Sequence, residues 1–224
     1  MRYTTALLDL DNTILDFNAA SHEALEKTFL HFGLPYSEEE WACYAEYNSK
    51  LWRAYERKEI PKSLIYEERF RLYLEDRRLD ADPAALNAMY LPLLGVCVHL
   101  MPHSIELLTA LKERGLTVCV VTNGETETAY KRIARGGLNE YFDHIFISEE
   151  IGHAKPSTEF FDAVYAKLGE DKRAGSIILG DSLTSDMQGG KNAGIATCLF
   201  RIEAEPDERC DYAIDDLRDF LKLL

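Results

Sequence analysis

Thr117-Val118-Cys119-Val120-Val121-Thr122-Asn123-Gly124 decides the fold class. Four apolar residues follow one another without alternation, the pattern of a strand buried on both faces, and a hydroxyl, an amide and a glycine then turn the chain. Ser176-Ile177-Ile178-Leu179 repeats the pattern and runs into Gly180-Asp181. Thr4–Leu8, His144–Ser148, Ala196–Phe200 and Tyr212–Ile214 are further short β-rich runs, with helical patterns between them. Such alternation predicts a parallel sheet covered by helices, an α/β fold.

A stretch of different character separates the first run from the rest. Leu25, Phe29 and Phe32 fall at i, i+4 and i+7, a helical phase that stops at Gly33. Ser37-Glu38-Glu39-Glu40 has the spacing of a capping box, and Trp41, Tyr44, Asn48, Leu51 and Tyr55 then share one helical face. Pro61 and Pro83 each sit where a first helical turn begins, the second behind Asp82 as N-cap. The expected organisation is an α/β core of residues 1–15 and 100–224 with an all-helical domain, 16–99, inserted after the first strand.

Composition narrows the partners. The chain has 224 residues, 46% hydrophobic and 29% charged, as in an ordinary folded protein. Its net charge of −14 argues against a nucleic-acid polymer or an anionic membrane as partner. A small anionic substrate must then be held by local positive charge. The apolar run Thr5-Ala6-Leu7-Leu8 is cut short by Asp9 and Asp11, too soon for a signal peptide, and Pro92, Gly95 and Pro102 divide the uncharged stretch from Pro83 to Ile105. Cys43, Cys97, Cys119, Cys198 and Cys210 are scattered, without a Cys-x-x-Cys pair, which argues against disulfides or a zinc site; Cys119 and Cys198 read as core residues. A cytoplasmic protein is expected. The acidic stretch from Glu203 onward reads as a solvated face.

Four features at strand ends carry chemistry. Asp9-Leu10-Asp11-Asn12-Thr13 leaves the first strand with two carboxylates at its carboxyl end, where open α/β sheets bind ligands. Alone, that pattern reads equally as a solvated turn. Thr122 and the following N–H groups form a neutral donor set for phosphate oxygens, the more so if a helix starts near Glu125; turn chemistry is the alternative. Lys155, fixed ahead of Pro156, supplies positive charge. Gly180-Asp181 with Asp186 five residues on gives a hard oxygen site for Mg²⁺, unless Asp186 only caps a helix.

Together, Asp9 and Asp11, Thr122, Lys155, and Asp181 and Asp186 resemble, in order, the four motifs of the haloacid dehalogenase superfamily. Gly180–Asp186 with Gly189-Gly190 and Asn192-Ala193-Gly194, Tyr141-Phe142-Asp143, Ile147–Glu150 and Lys155-Pro156 are similar to the bacterial pyrimidine 5'-nucleotidases of that superfamily. The resemblance implies a Rossmann-like core with strand order 5-4-1-2-3 and a C1 helical cap. It also implies a phosphomonoester hydrolase with Asp9 as nucleophile and Asp11 as acid and base. Mg²⁺ would be held by Asp9, the Asp11 carbonyl and Asp181, with Asp186 acting through water or by orienting neighbours. Thr122, Asn123 and Lys155 would bind the phosphoryl oxygens.

Asp16, Phe17 and Asn18 at the hinge into the cap, and Tyr47 within it, are candidates for reading the leaving group. The expected partner is a small phosphorylated metabolite, a pyrimidine nucleoside monophosphate first, for a monomer or weak homo-oligomer. Three alternatives stay open at this point: a phosphatase for phosphoglycolate or sugar phosphates, a β-phosphoglucomutase, and a catalytically idle phosphate-binding regulator.

Overall fold

A computed structural model describes residues 2–200 and 207–224. The chain divides into two compact units, one made of residues up to Phe17 together with His99–Leu224, the other of Asn18–Val98.

The first unit is the α/β core. Its strands are β1 (Thr5–Leu8), β2 (Thr117–Thr122), β3 (His144–Ile147), β4 (Ser176–Gly180), β5 (Ala196–Phe200) and β6 (Tyr212–Ile214). All pair in parallel in the order β3-β2-β1-β4-β5-β6, which is the expected order with β6 added at one edge. Leu7, Cys119, Val121, Ile178 and Leu199 pack with Phe160, Phe161, Val164 and Met187. The intervening Ala6, Leu8, Val118, Val120, Ile177 and Leu179 are equally buried, so the central strands β1, β2 and β4 are covered on both faces and carry no polar alternation. A Cβ on Gly190 would lie 2.5 Å from the Thr197 methyl and 2.8 Å from Ile178 Cγ2, so only glycine lets the helix Gln188–Ala193 approach the sheet this closely.

The second unit consists of α1 (Phe17–His31), α2 (Glu38–Glu56), α3 (Lys62–Arg77) and α4 (Pro83–Val96), the first of which starts at the boundary between the units. Tyr44, Phe70 and Tyr90 form a ring cluster with centroids 5.1–5.7 Å apart. Buried Arg69 lies over Tyr90 at 4.7 Å and donates to the Asn48 and Asn87 side-chain oxygens and the Tyr66 carbonyl, so its charge is met by dipoles and a π face.

Three local expectations change. Helix α1 ends at His31, so Phe32 falls outside it and is 36% exposed. Ser37 does cap α2 by accepting from the Glu40 N–H, but Glu40 turns its carboxylate to the Tyr73 hydroxyl, leaving the capping box half made. On α2 only Tyr44 and Asn48 are buried; Trp41, Leu51 and Tyr55 are half-buried, so its apolar stripe is narrower than the spacing predicts.

The chain leaves the core and returns at one place. The Asp16 N–H donates to the His99 carbonyl (2.9 Å), the Met101 N–H donates to the Ile14 carbonyl (3.0 Å), and Leu15 bridges Leu100 antiparallel. All five cysteines are free thiols, with Cys119 and Cys198 buried in β2 and β5. Among the described residues no helix is long and apolar enough to cross a membrane. The acidic stretch from Glu203 falls partly on 201–206, outside the described residues; beyond them Glu208, Asp211 and Asp215 are exposed.

Candidate active site

Strand β1 stands between β2 and β4, where the strand order reverses direction; in open α/β sheets the crevice at that switch point holds the ligand. Parallel pairing with β4 extends past Leu8, since the Asp9 N–H donates to the Leu179 carbonyl (2.9 Å). The chain then folds sharply: Ile14 and Leu15 both donate to the Leu10 carbonyl, and Asn12 takes φ +55°, a left-handed conformation that asparagine tolerates.

Strand β4 ends at Gly180, and a single π-helical turn, Leu183–Met187, follows Asp181. Ser182 caps that turn by accepting from the Ser185 N–H, so Asp186 is released from the capping role weighed above. Instead Asp186 is fully buried and folds back on Gly180, where a Cβ would meet its Oδ2 at 2.2 Å. One carboxylate oxygen each from Asp9, Asp181 and Asp186 lie within 4.8 Å of one another.

Lys155 joins this cluster from the loop after β3. It is 1% exposed, and its Nζ donates to Asp9 Oδ1 (2.6 Å), Asp186 Oδ1 (2.6 Å) and the Val121 carbonyl (2.7 Å). The Asn123 side chain fixes its backbone by a reciprocal pair, donating to the Lys155 carbonyl (2.9 Å) and accepting from the Lys155 N–H (3.0 Å). Thr122, buried at the end of β2, accepts the Gly124 N–H on its hydroxyl (3.0 Å). After α5 (Ser104–Glu113) and β2, helix α6 (Thr126–Arg135) does begin at Thr126, but its first N–H groups are taken: Glu125 accepts from Glu127 and Thr128, and Glu149 from Thr126. That helix end is therefore already neutralised by carboxylates, and the donors for an incoming anion reduce to Lys155 and the turn around Thr122 and Asn123.

Three carboxylates face one ammonium. Burial first, then Asp186, Asp181 and Asp11, push the Asp9 carboxyl well above the usual range, against the pull of Lys155. Asp181 is pushed up to about 7, by burial and then by Asp186. Burial alone would lower the Lys155 ammonium, but Asp186 and Asp9 outweigh it and hold it raised. A hard divalent cation fits this surplus of buried negative oxygens.

Asp11 turns aside from that cluster. Its Oδ1 accepts from Arg132 Nη1, while its Oδ2 lies on the side of Gly124, where a Cβ would come 3.6 Å from it and 3.2 Å from Thr122 Oγ1. Arg132 is missing from the sequence-derived site. One signal points to it: Thr128, Ala129, Arg132 and Ile133 form the buried face of α6, and a charge on an apolar stripe needs a partner. Phe17 lies under its guanidinium at 5.7 Å, Asp16 is held at the chain crossing, Asn18 is exposed, and Tyr47 is half-buried on α2 with Lys50 over its ring.

A family model for haloacid dehalogenase-like hydrolases matches residues 6–200, nearly the whole chain. The chain belongs to the haloacid dehalogenase-like hydrolases. As a haloacid dehalogenase-like hydrolase it is an enzyme; its Asp9, Thr122 and Asp181 stand at the carboxyl ends of β1, β2 and β4, whereas Lys155, expected at a strand end, lies beyond the helical turn Ser148–Ile151 that follows β3. It is 35% identical to the putative HAD-hydrolase YfnB of Bacillus subtilis over 92% of this chain and 87% of that one. A crystal structure of YfnB bound to magnesium, described as revealing interdomain movement, superposes with a TM-score of 0.93, covering 100% and 99% of the two chains at 33% identity. The pyrimidine 5'-nucleotidase YjjG of Escherichia coli is 31% identical over 88% of this chain and 86% of its own. PynA of Streptococcus pneumoniae, also a pyrimidine 5'-nucleotidase, is 31% identical over 100% and 96%.

Proposed function

We propose that this hydrolase is a magnesium-dependent phosphomonoesterase that works through a phosphoenzyme on Asp9 and takes pyrimidine nucleoside 5'-monophosphates as its substrates. The observation that carries the chemistry is Lys155, bonded at once to Asp9 and Asp186 inside a three-carboxylate cluster at the carboxyl end of the sheet. The substrate class rests on two relatives of matching length, both pyrimidine 5'-nucleotidases.

The Asp9 carboxylate attacks phosphorus and the bond from phosphorus to the leaving oxygen breaks, while Asp11 gives that oxygen its proton. Asp11, now a carboxylate, takes a proton from the water that attacks the phosphoenzyme; the bond from Asp9 to phosphorus breaks and inorganic phosphate leaves. Lys155 and the Thr122–Asn123 turn hold the phosphoryl oxygens as charge develops on them. Asp9, Asp181 and the Asp11 carbonyl would hold magnesium, with Asp186 orienting Lys155 and the Ser182 N–H. When bound, the ion neutralises repulsion between carboxylate and phosphate.

The substrate reading is tested by kcat/KM on UMP, dUMP, TMP, AMP, phosphoglycolate and glucose 1-phosphate. Pyrimidine monophosphates are expected to rank first. A sugar phosphate at the top would overturn the nucleotide assignment and leave the phosphatase chemistry standing.

Metal binding has a pH signature. Asp181 shifts from its ordinary value of 3.8 to about 7 in the fold. Between those values the metal-free fold holds a proton that the unfolded chain has released, so stability falls as pH rises through the window. Magnesium competes with that proton. The rise in Tm on adding magnesium is therefore expected to be larger at pH 8 than at pH 6, and a rise that is equal at both, or absent, would count against the site.

A further inference from the structure

We infer that Arg132 is the positioning residue for Asp11: it pins one carboxylate oxygen and leaves the other to exchange protons with the leaving group and the water. The inference rests on Asp11 being the acid and base of the proposed reaction. Arg132 is 2% exposed, on the inner face of α6, and its guanidinium spends Nη1 on Asp11 Oδ1. Its Nε and Nη2 have no hydrogen-bond partner among the described residues. Phe17, the residue that ends the core segment, lies against the guanidinium at 5.7 Å.

A buried cation with one anionic partner and an aromatic ring beside it has little else to do in a core, where unpaired charge is costly. Asp11, by contrast, is 31% exposed, and among the described residues no other ion pair holds its carboxylate. Its Oδ2 lies on the side of Gly124 and Thr122, the turn placed to hold phosphoryl oxygens. Arg132 thus fixes the orientation of a group that a backbone turn alone would leave free to rotate about χ1 and χ2. The pairing also explains why a charged residue occupies the apolar stripe of α6.

The test exploits leaving groups of different basicity. A nucleoside 5'-hydroxyl needs its proton as it departs, whereas p-nitrophenolate leaves unaided, so loss of a well-placed acid weighs on the first and spares the second. For Arg132→Met, kcat/KM on UMP is expected to fall at least about tenfold further than on p-nitrophenyl phosphate, within the range that misplacement of a reacting group produces. With p-nitrophenyl phosphate, kcat should fall more than kcat/KM, because Asp11 also serves the later hydrolysis of the phosphoenzyme. Arg132→Lys keeps the cation and should recover part of both effects. In the double variant with Asp11→Asn, the loss should equal that of Asp11→Asn alone.

A purely structural arginine would lower the active fraction and scale every substrate and both constants equally. That result, or additive losses in the double variant, overturns the inference. If Asp11→Asn itself shows no bias between the two leaving groups, the acid assignment fails and takes this inference with it. Bias in Asp11→Asn without bias in Arg132→Met defeats the inference alone.

Discussion

Asp9→Asn is expected to cut magnesium-dependent phosphate release from p-nitrophenyl phosphate by about 10⁴-fold or more, the scale on which losing a covalent nucleophile acts. The change is nearly isosteric, and an amide oxygen can still accept from Lys155, which now bonds Asp9 Oδ1 at 2.6 Å. The fold should survive, with a Tm close to that of the unaltered protein, so the loss is chemical. Acid quenching during turnover should trap covalent phosphate on the unaltered enzyme and none on the variant. Activity within tenfold of the starting enzyme would remove Asp9 from the nucleophile's role.

Lys155→Met acts on stability as well as rate. The side chain is 1% exposed and, among the described residues, is the one cation bonded to Asp9 and Asp186, so methionine leaves two carboxylates buried together. Breaking such a pairing costs about 3–5 kcal/mol. For a chain of this length that lowers Tm by about 6–20 °C. Magnesium should restore more Tm to the variant than to the unaltered protein, since it supplies the missing positive charge. A Tm within about 2 °C of the starting value would show that the cluster does not depend on Lys155.

The centre of the sheet was legible because fully buried parallel strands write themselves as unbroken apolar runs, and the shorter, partly exposed runs at its edges also became strands. The positions of Asp9, Thr122 and Asp181 followed from the same logic, because residues that end a buried strand are the ones that reach its carboxyl edge; Lys155 reaches the cluster from farther on, past the helical turn Ser148–Ile151 that follows β3. Less could be read where a side chain chooses between partners that spacing does not rank. Glu40 prefers the Tyr73 hydroxyl to its own helix end, and Ser182 rather than Asp186 caps the turn after β4. Phe32 continues a helical phase in sequence, but the helix has already ended. Arg132 was hidden for a different reason. Long cationic side chains on surface helices are common, and only its place on the inner face of α6, opposite a carboxylate more than a hundred residues earlier in the chain, sets it apart.

The crossing at Asp16 and His99 has a consequence for how such enzymes diversify. Because the outgoing and returning strands are hydrogen-bonded to each other within the core, the sheet meets the whole helical insert as it would meet a surface loop with closely spaced ends. The entropy of closing that loop is borne by the crossing itself and grows only slowly with the length inserted. A lineage can therefore lengthen, shorten or exchange the insert while the strand that leads to Asp9 keeps its register.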